Sequence, residues 1–566
     1  MTPSRELTLR ALLTGLVLGA LLTPANLYAG LKIGWSFNMS IIALLVGYTL
    51  WQSLSGAFGL PRWAIHESNI TQTSASSAAS IISGGLVAPI PAYTLLTGEQ
   101  LPLPALVAWV FSVSFLGVWV AWYLRRGLVV DDGLRFPEGM ATLETLQQIY
   151  GHGREALQRL RVLAGAAMLA ALAKGLDILL ALPRWAPTPA LERLTFNLEP
   201  SLLLVGFGGI IGLRVGLSLV LGAALAWGLL APWVIDQGWV TLAADARGPQ
   251  FAVLIEWLLW PGVSLMVCAT LTSLAIRLAR LQRVRPASGG APAAMGWPWL
   301  GLLGLGLAGT LVVLLQVMLF GISPLLALLS IPLAVLLAMV AARVVGATGI
   351  PPIGAVGQVS QLSFGVLAPG QVPINLMAAN TAGGAAGQCA DLLNDFKVGH
   401  AIGASPSRQL LAQCLGIAVG SLVGALAYRA LIPDPQAMLI TAEWPAPAVA
   451  TWRAVAEALT LGLDALAPEI RWAMLAGGLA GLLLGALEAL LPLRGLRWLP
   501  SSAALGLAFI IPASISLTMA FGAGLAWLFA ARWRSLAERF VIVAAAGLVA
   551  GESMTGVAAA LWQLLR

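Results

Sequence analysis

The chain has 566 residues, 59% hydrophobic and only 10% charged, with a mean hydropathy of +0.88. Soluble domains carry about a quarter charged residues, so this composition excludes one, and continuous rather than alternating apolar runs exclude a membrane β-barrel. The formal charge of +7 would suit nucleic acid, but the arginines cluster at the ends of apolar runs, the pattern that orients membrane proteins.

At about 20 residues per helical span, roughly 30 to 35 with its loop, the length predicts about sixteen crossings. The expected fold is an all-α polytopic integral membrane protein. Arginine supplies nearly all the positive charge, so Lys32, Lys174 and Lys397, the only lysines, stand out. Cys268, Cys389 and Cys414 lie in apolar runs with no disulfide or metal spacing. The first apolar segment follows Arg5 and Arg10 without a cleavage pattern and reads as a first span with its N-terminus cytoplasmic.

Residues 7–29 and 31–54 are predicted as two helices. Between them Pro24, Asn26, Gly30, Lys32 and Gly34 mark a break or close approach, and a broken helix at membrane depth must line a cavity, which makes Asn26 and Tyr28 candidates for substrate or proton coupling. Lys32 either snorkels to the interface or faces that cavity. Residues 66–89 are small or hydroxylated on every face, as in a helix packed closely among others. Close packing does not account for Glu67 and Gln72, which become site candidates. A span at 103–124 ends at Arg125 and Arg126, and the polar stretch after it predicts an interfacial helix starting at Pro137, with Glu138 in its first turn. Spans follow near 158–182, 200–214, 215–235 and 251–276. Lys174 and Asp177 have the i, i+3 spacing of a helical ion pair, the alternative being that both belong to the site.

Residues 277–296 are basic and then rich in Gly, Pro and Ala, a cytoplasmic linker between transmembrane halves 1–276 and 297–566. Beyond two further spans, residues 346–370 carry Pro351, Pro352, Gln358 and Gln361 among glycines, which predicts a discontinuous or re-entrant element. Residues 373–413 begin like a span, yet Asn380, Gly384, Gly387, Gln388, Asp391, Asn394 and Asp395 fall within a helical stripe about 120° wide. A carboxylate facing lipid costs about 2.5–3.5 kcal/mol or more, so the stripe should face protein or a watery passage. The alternative is that Asp391 and Asp395 sit at the water boundary and cap backbone groups. Spans near 407–431 and 471–492 bracket a loop, 433–468, with an amphipathic helix. The end of the chain holds Glu552. Gly30, Leu31 and Ser40 recur as Gly506, Leu507 and Ser516, and Glu67-Ser68 as Glu552-Ser553, a weak internal repeat. Repeated halves that each contain an interrupted helix point to a transporter site at their interface.

These segments resemble the oligopeptide transporter (OPT) family, including its yellow stripe-like branch. The resemblance rests on NLYAGLKIGWSFNMSI (26–41), ESNITQTSASSAASI (67–81), FPEGMATLE (136–144), PPIGAVGQVSQL (351–362), GQCADLLNDFKVGHAIGASPSRQ (387–409), LPSSAALGLAFIIPASIS (499–516) and AGESMTG (550–556), in order along the whole chain. It implies a proton-driven secondary symporter for small peptides, their derivatives or metal chelates. The asparagine-proline-glycine and lysine-isoleucine-proline-proline-arginine motifs of the eukaryotic peptide branch are missing. That places the chain nearer the yellow stripe-like and bacterial members and leaves both cargo classes open.

On this reading the partners are the cargo, protons and the bilayer of the cell membrane, with no nucleic acid and no cofactor beyond the proton gradient; a homo-oligomer is compatible with it. Proton coupling needs groups whose protonation follows access, and the candidates are Glu67, Asp391, Asp395, Glu552 and the neighbouring His400. A zwitterionic cargo also needs a cation or helix N-terminus, for which Lys32 and Lys397 are candidates. Gln72, Gln358, Gln361, Asn380 and Gln388 would supply neutral hydrogen bonds. A membrane-embedded enzyme is the first rival, but no H-E-x-x-H, no G-x-S-G and no paired metal motif occurs. A passive metal channel is the second, disfavoured by three scattered histidines. No G-x-x-x-x-G-K-[ST] sequence for ATP occurs.

Overall fold

The computed structural model describes residues 6–34, 39–131, 133–151, 153–182, 184–242, 248–283, 298–349, 351–496 and 499–564. Among these, every regular element is helical, and 13 segments are long and apolar enough to cross a membrane. The expected count of about sixteen is not reached on length and hydropathy alone, partly because Leu202–Ile211 and Ile353–Leu367 are apolar but short.

In chain order, α1 (Leu9–Ile33) runs unbroken through Pro24, and the expected interruption comes only at Gly34, whose φ of 72° ends the helix. Then come α2 (Ser40–Phe58) and α3 (Ile65–Ala79), continued by a 3₁₀ turn at Ser80–Gly84, and α4 (Pro89–Thr97). This is a break the sequence reading did not place. Gly85, at φ 125°, makes a turn that a side chain would strain. Next are α5 (Leu103–Arg125), extended by a π-helical turn, and α6 (Pro137–Gly151), which starts at the predicted proline. They are followed by α7 (Gly153–Leu180), α8 (Pro189–Arg193), α9 (Leu202–Ile211) and α10 (Leu213–Ala223). Gly212 at φ 80° separates the last two.

After a π-helical stretch come α11 (Ala231–Asp236), α12 (Phe251–Arg283), α13 (Pro298–Phe320) and α14 (Pro324–Thr348). The expected irregular element at 346–370 is the 15-residue α15 (Ile353–Leu367), bounded by Gly349 and Gly370 at φ 80° and 78°. The remainder is α16 (Val372–Ile402), α17 (Pro406–Leu431), α18 (Pro435–Met438), α19 (Pro447–Leu461), α20 (Pro468–Leu490), α21 (Leu493–Leu496), α22 (Ser502–Ile510), α23 (Ala513–Arg532) and α24 (Arg534–Leu564). The predicted amphipathic helix between 433 and 468 is α19.

The chain forms two compact units. The first comprises Met1–Leu27, Ser36–Leu160 and Arg285–Pro433; the second comprises Tyr28–Trp35, Arg161–Val284 and Asp434–Arg566. Each draws on both sides of the 277–296 linker, most of which lies outside the described residues.

At the centre of the first unit lies α16, in contact with α3, α4, α5, α6, α13, α14, α15 and α17. Its residues from Ile374 to Gly399 are buried with few exceptions, so its polar stripe faces protein and not lipid. Small residues permit this: a Cβ on Gly117 of α5 would collide with the Ala385 carbonyl. In the second unit Gly477, Gly481 and Gly485, at helical i, i+4 spacing on α20, lie against the carbonyls of Pro261, Leu265 and Ala269 on α12. That close approach supplies packing where no hydrophobic drive exists between helices in lipid. Where α22 ends, the buried Trp227 Nε1 donates to the carbonyls of Ala508 (3.0 Å) and Ile511 (2.9 Å), satisfying groups the break leaves free.

Candidate functional site

The polar stripe of α16 meets hydroxyls from α3 and amides from α17. Ser76 Oγ lies 3.3 Å from Asp391 Oδ2 and 3.3 Å from Asp395 Oδ2, so one hydroxyl sits between two carboxylates. Asp391 Oδ2 also accepts from Ser80 Oγ (3.3 Å) and Gln413 Nε2 (3.1 Å). Gln388 Oε1 accepts from Ser80 at 3.2 Å, and Gln409 Nε2 donates to the Asp395 carbonyl at 2.8 Å. Asp395 is buried and Asp391 half-buried. Neither forms an ion pair with a lysine, arginine or histidine among the described residues. Around them Gln72 Oε1, Gln388 Nε2 and Gln413 Oε1 are buried without a partner among the described residues. Ser76, Ser80, Gln409 and Gln413 were not singled out from sequence, although each pair has i, i+4 spacing.

Other candidates in this unit hold structure in place. Asn380 Nδ2 donates to the Gly84 carbonyl (3.1 Å) and its Oδ1 accepts from Trp109 Nε1 (2.9 Å), bracing the break between α3 and α4. Glu67 is set apart from the aspartates: Arg10 reaches it at 2.6 and 2.7 Å, Thr8 Oγ1 at 2.6 Å and the Ala64 N–H at 3.0 Å. It thus caps α3 and pairs with α1. Gln72 Nε2 lies 3.2 Å from both Asn69 Oδ1 and Thr73 Oγ1. Asn26 Nδ2 donates to the Ala79 carbonyl (2.9 Å), and Gln361 Nε2 to Asn375 Oδ1 (3.2 Å) on the neighbouring α16. Gln358 Oε1 is buried without a partner among the described residues. Lys397, outside the stripe as its spacing requires, lines an open groove beside α6, and His400 is exposed at the end of α16.

Tyr28, Lys32 and Glu552 belong to the second unit, where they line one cavity of about 410 Å³. Glu552 Oε1 accepts from Ser201 Oγ (2.7 Å) and its Oε2 from the Leu203 N–H (2.7 Å), so it caps α9. Lys174 and Asp177 are both a pair, at 2.9 Å, and part of this lining. Arg184 extends the pair, lying 3.4 Å from Asp177 and 3.4 Å from Glu199. Burial alone would lower the Arg184 pKa, but Glu199 and Asp177 outweigh it and hold the guanidinium above its ordinary value. Arg184, Glu199 and Glu443, also in the lining, lie in loops whose composition gave no signal.

Among the described residues no group of three or more His, Cys, Asp or Glu side chains is placed to hold a metal ion. Comparison with known proteins gives a match to the family model described as OPT oligopeptide transporter protein over residues 6–563. A Saccharomyces cerevisiae protein named "Putative oligopeptide transporter" is 23% identical, over 98% of this chain and 95% of its own. A Haemophilus influenzae protein of the same name is 26% identical over 94% and 91%. The iron-phytosiderophore transporter yellow stripe 1 of Zea mays is 23% identical over 97% and 89%. With a family match running through both compact units and nearly the whole length, the chain belongs to the OPT oligopeptide transporter family.

Proposed function

We propose that this protein is a secondary active transporter that couples proton entry to movement of small peptides or peptide-like metal chelates across the cell membrane. Members of the family are transporters and not enzymes. The observation that carries the proton-coupled part is the pair Asp391 and Asp395, held around the Ser76 hydroxyl on a helix enclosed by eight others. Acids in a membrane interior are costly and mark ion or proton routes. The unpartnered amide atoms of Gln72, Gln388 and Gln413 support the same reading, since such a group costs about 1–3 kcal/mol when nothing meets it. The relatives' names cover peptides and chelates, and both classes carry carboxylates and amines.

We further infer a cytoplasmic N-terminus from the arginines at span ends, and a cytoplasmic linker at 277–296 between repeat-like halves. Counterflow in proteoliposomes tests the mechanism, with and without an inward proton gradient. Asp391→Asn and Asp395→Asn should abolish gradient-driven accumulation and leave exchange. Accumulation with wild-type pH dependence in both variants would reject the coupling role, and leak without coupling in the wild type would point to a channel.

A further inference from the structure

The cavity of the second unit contains seven charged groups, and five of them satisfy one another or the backbone. Lys174 meets Asp177, Arg184 bridges Asp177 and Glu199, and Glu552 is taken up by Ser201 and the Leu203 N–H. Two remain. Lys32 has no ion pair or hydrogen bond among the described residues; its ammonium rests over the rings of Trp444 and Tyr28, 5.3 and 5.8 Å from their centroids. Glu443 likewise has no ion pair or hydrogen bond there, and is solvent exposed. Aromatic faces attract a cation but do not replace a carboxylate.

The local backbone fixes both groups. Gly34 closes α1 two residues after Lys32, and the Leu31 carbonyl accepts the Ala446 N–H at 3.0 Å, tying the loop that carries Glu443 to the end of α1. Ile440 and Ala446, which bracket Glu443, have φ of 59° and 43°, a left-handed conformation that non-glycine residues adopt at a cost. Tyr28 and Trp444 pack edge to face, with centroids 5.2 Å apart, so the aromatic seat under Lys32 is built from the same two segments.

We propose that this cavity is a recognition site for a zwitterion, with Lys32 receiving a ligand carboxylate and Glu443 a protonated amine. The ligand class is a small molecule with a free α-carboxylate and a free amine: a short peptide or an aminocarboxylate chelator. A volume of about 410 Å³ lies within the range of small-ligand pockets. The inference rests on the transport reading for its cargo class, but its own measurement is equilibrium binding, which needs no gradient.

The test is isothermal titration of the purified full-length protein in detergent. The probes are trialanine, N-acetyl-trialanine, trialanine amide and nickel–nicotianamine. The wild type should bind trialanine or the nicotianamine chelate, and bind the blocked peptides about tenfold more weakly or worse, as expected for a charge-assisted contact. Lys32→Gln should erase the preference for the free carboxylate, and Glu443→Gln the preference for the free amine. Glu443 is exposed, so its variant should fold even if that at Lys32 does not. Equal binding of free and blocked peptides by the wild type, full discrimination in Glu443→Gln, or no binding of either zwitterionic probe would overturn the proposal. Uptake of the same probes separates the two readings. Gradient-driven uptake with unchanged end-group preference in the variants removes this site and leaves transport standing. Selective binding without any uptake by the wild type does the reverse.

Discussion

Replacing Asn380 by alanine removes two hydrogen bonds from the point where α3 gives way to α4. The Gly84 carbonyl and the Trp109 N–H both lose their partner, and Trp109 cannot turn easily because its ring packs on Phe320 at 4.9 Å. Two buried groups left unsatisfied cost about 1–3 kcal/mol each. Hydrogen bonds inside membranes average nearer 0.6 kcal/mol and reach about 1.7, because loosened partners find others. Here one partner is the carbonyl at the end of a 3₁₀ turn and the other an indole wedged in place, which argues for a loss of about 2–4 kcal/mol. Equilibrium unfolding in mixed micelles by titrated dodecyl sulfate reads this directly, with His400→Ala, an exposed site, as the silent control. A loss under about 1 kcal/mol for Asn380→Ala would show that Asn380 does not brace the break, and would refute the accounting.

Three further outcomes are expected. Glu552→Ala should loosen the N-terminus of α9, whose Leu203 N–H and Ser201 hydroxyl it holds at 2.7 Å each, by about 1–2 kcal/mol on the same assay. Gly117→Leu should abolish the monodisperse peak in size-exclusion chromatography, because even a Cβ there meets the Ala385 carbonyl and comes within 2.9 Å of Gln388 Cβ. Gly524→Ala, a helix position with nothing within 4 Å, should instead be neutral or stabilising by up to about 1 kcal/mol.

The amino-acid order by itself determined what depends on neighbours a few residues away. Long apolar runs make membrane helices, Pro137 starts α6, and the 3.6-residue period gathers Asn380, Gln388, Asp391 and Asp395 on one face of α16. Only the tertiary structure decided what each polar group meets. Glu67 finds Arg10 57 residues earlier, while Asp391 finds Ser76 315 residues earlier, so two acids that look equivalent in sequence take different roles. The break at Gly85 is held by an asparagine 296 residues beyond Gly84, and Pro24 is absorbed into a continuous helix by its surroundings. Lys32 and Glu443 share a cavity although no local pattern links them. Local propensity sets which segments become helices, but the low dielectric of the interior makes every buried polar group depend on a partner, and partners are supplied by packing between distant segments.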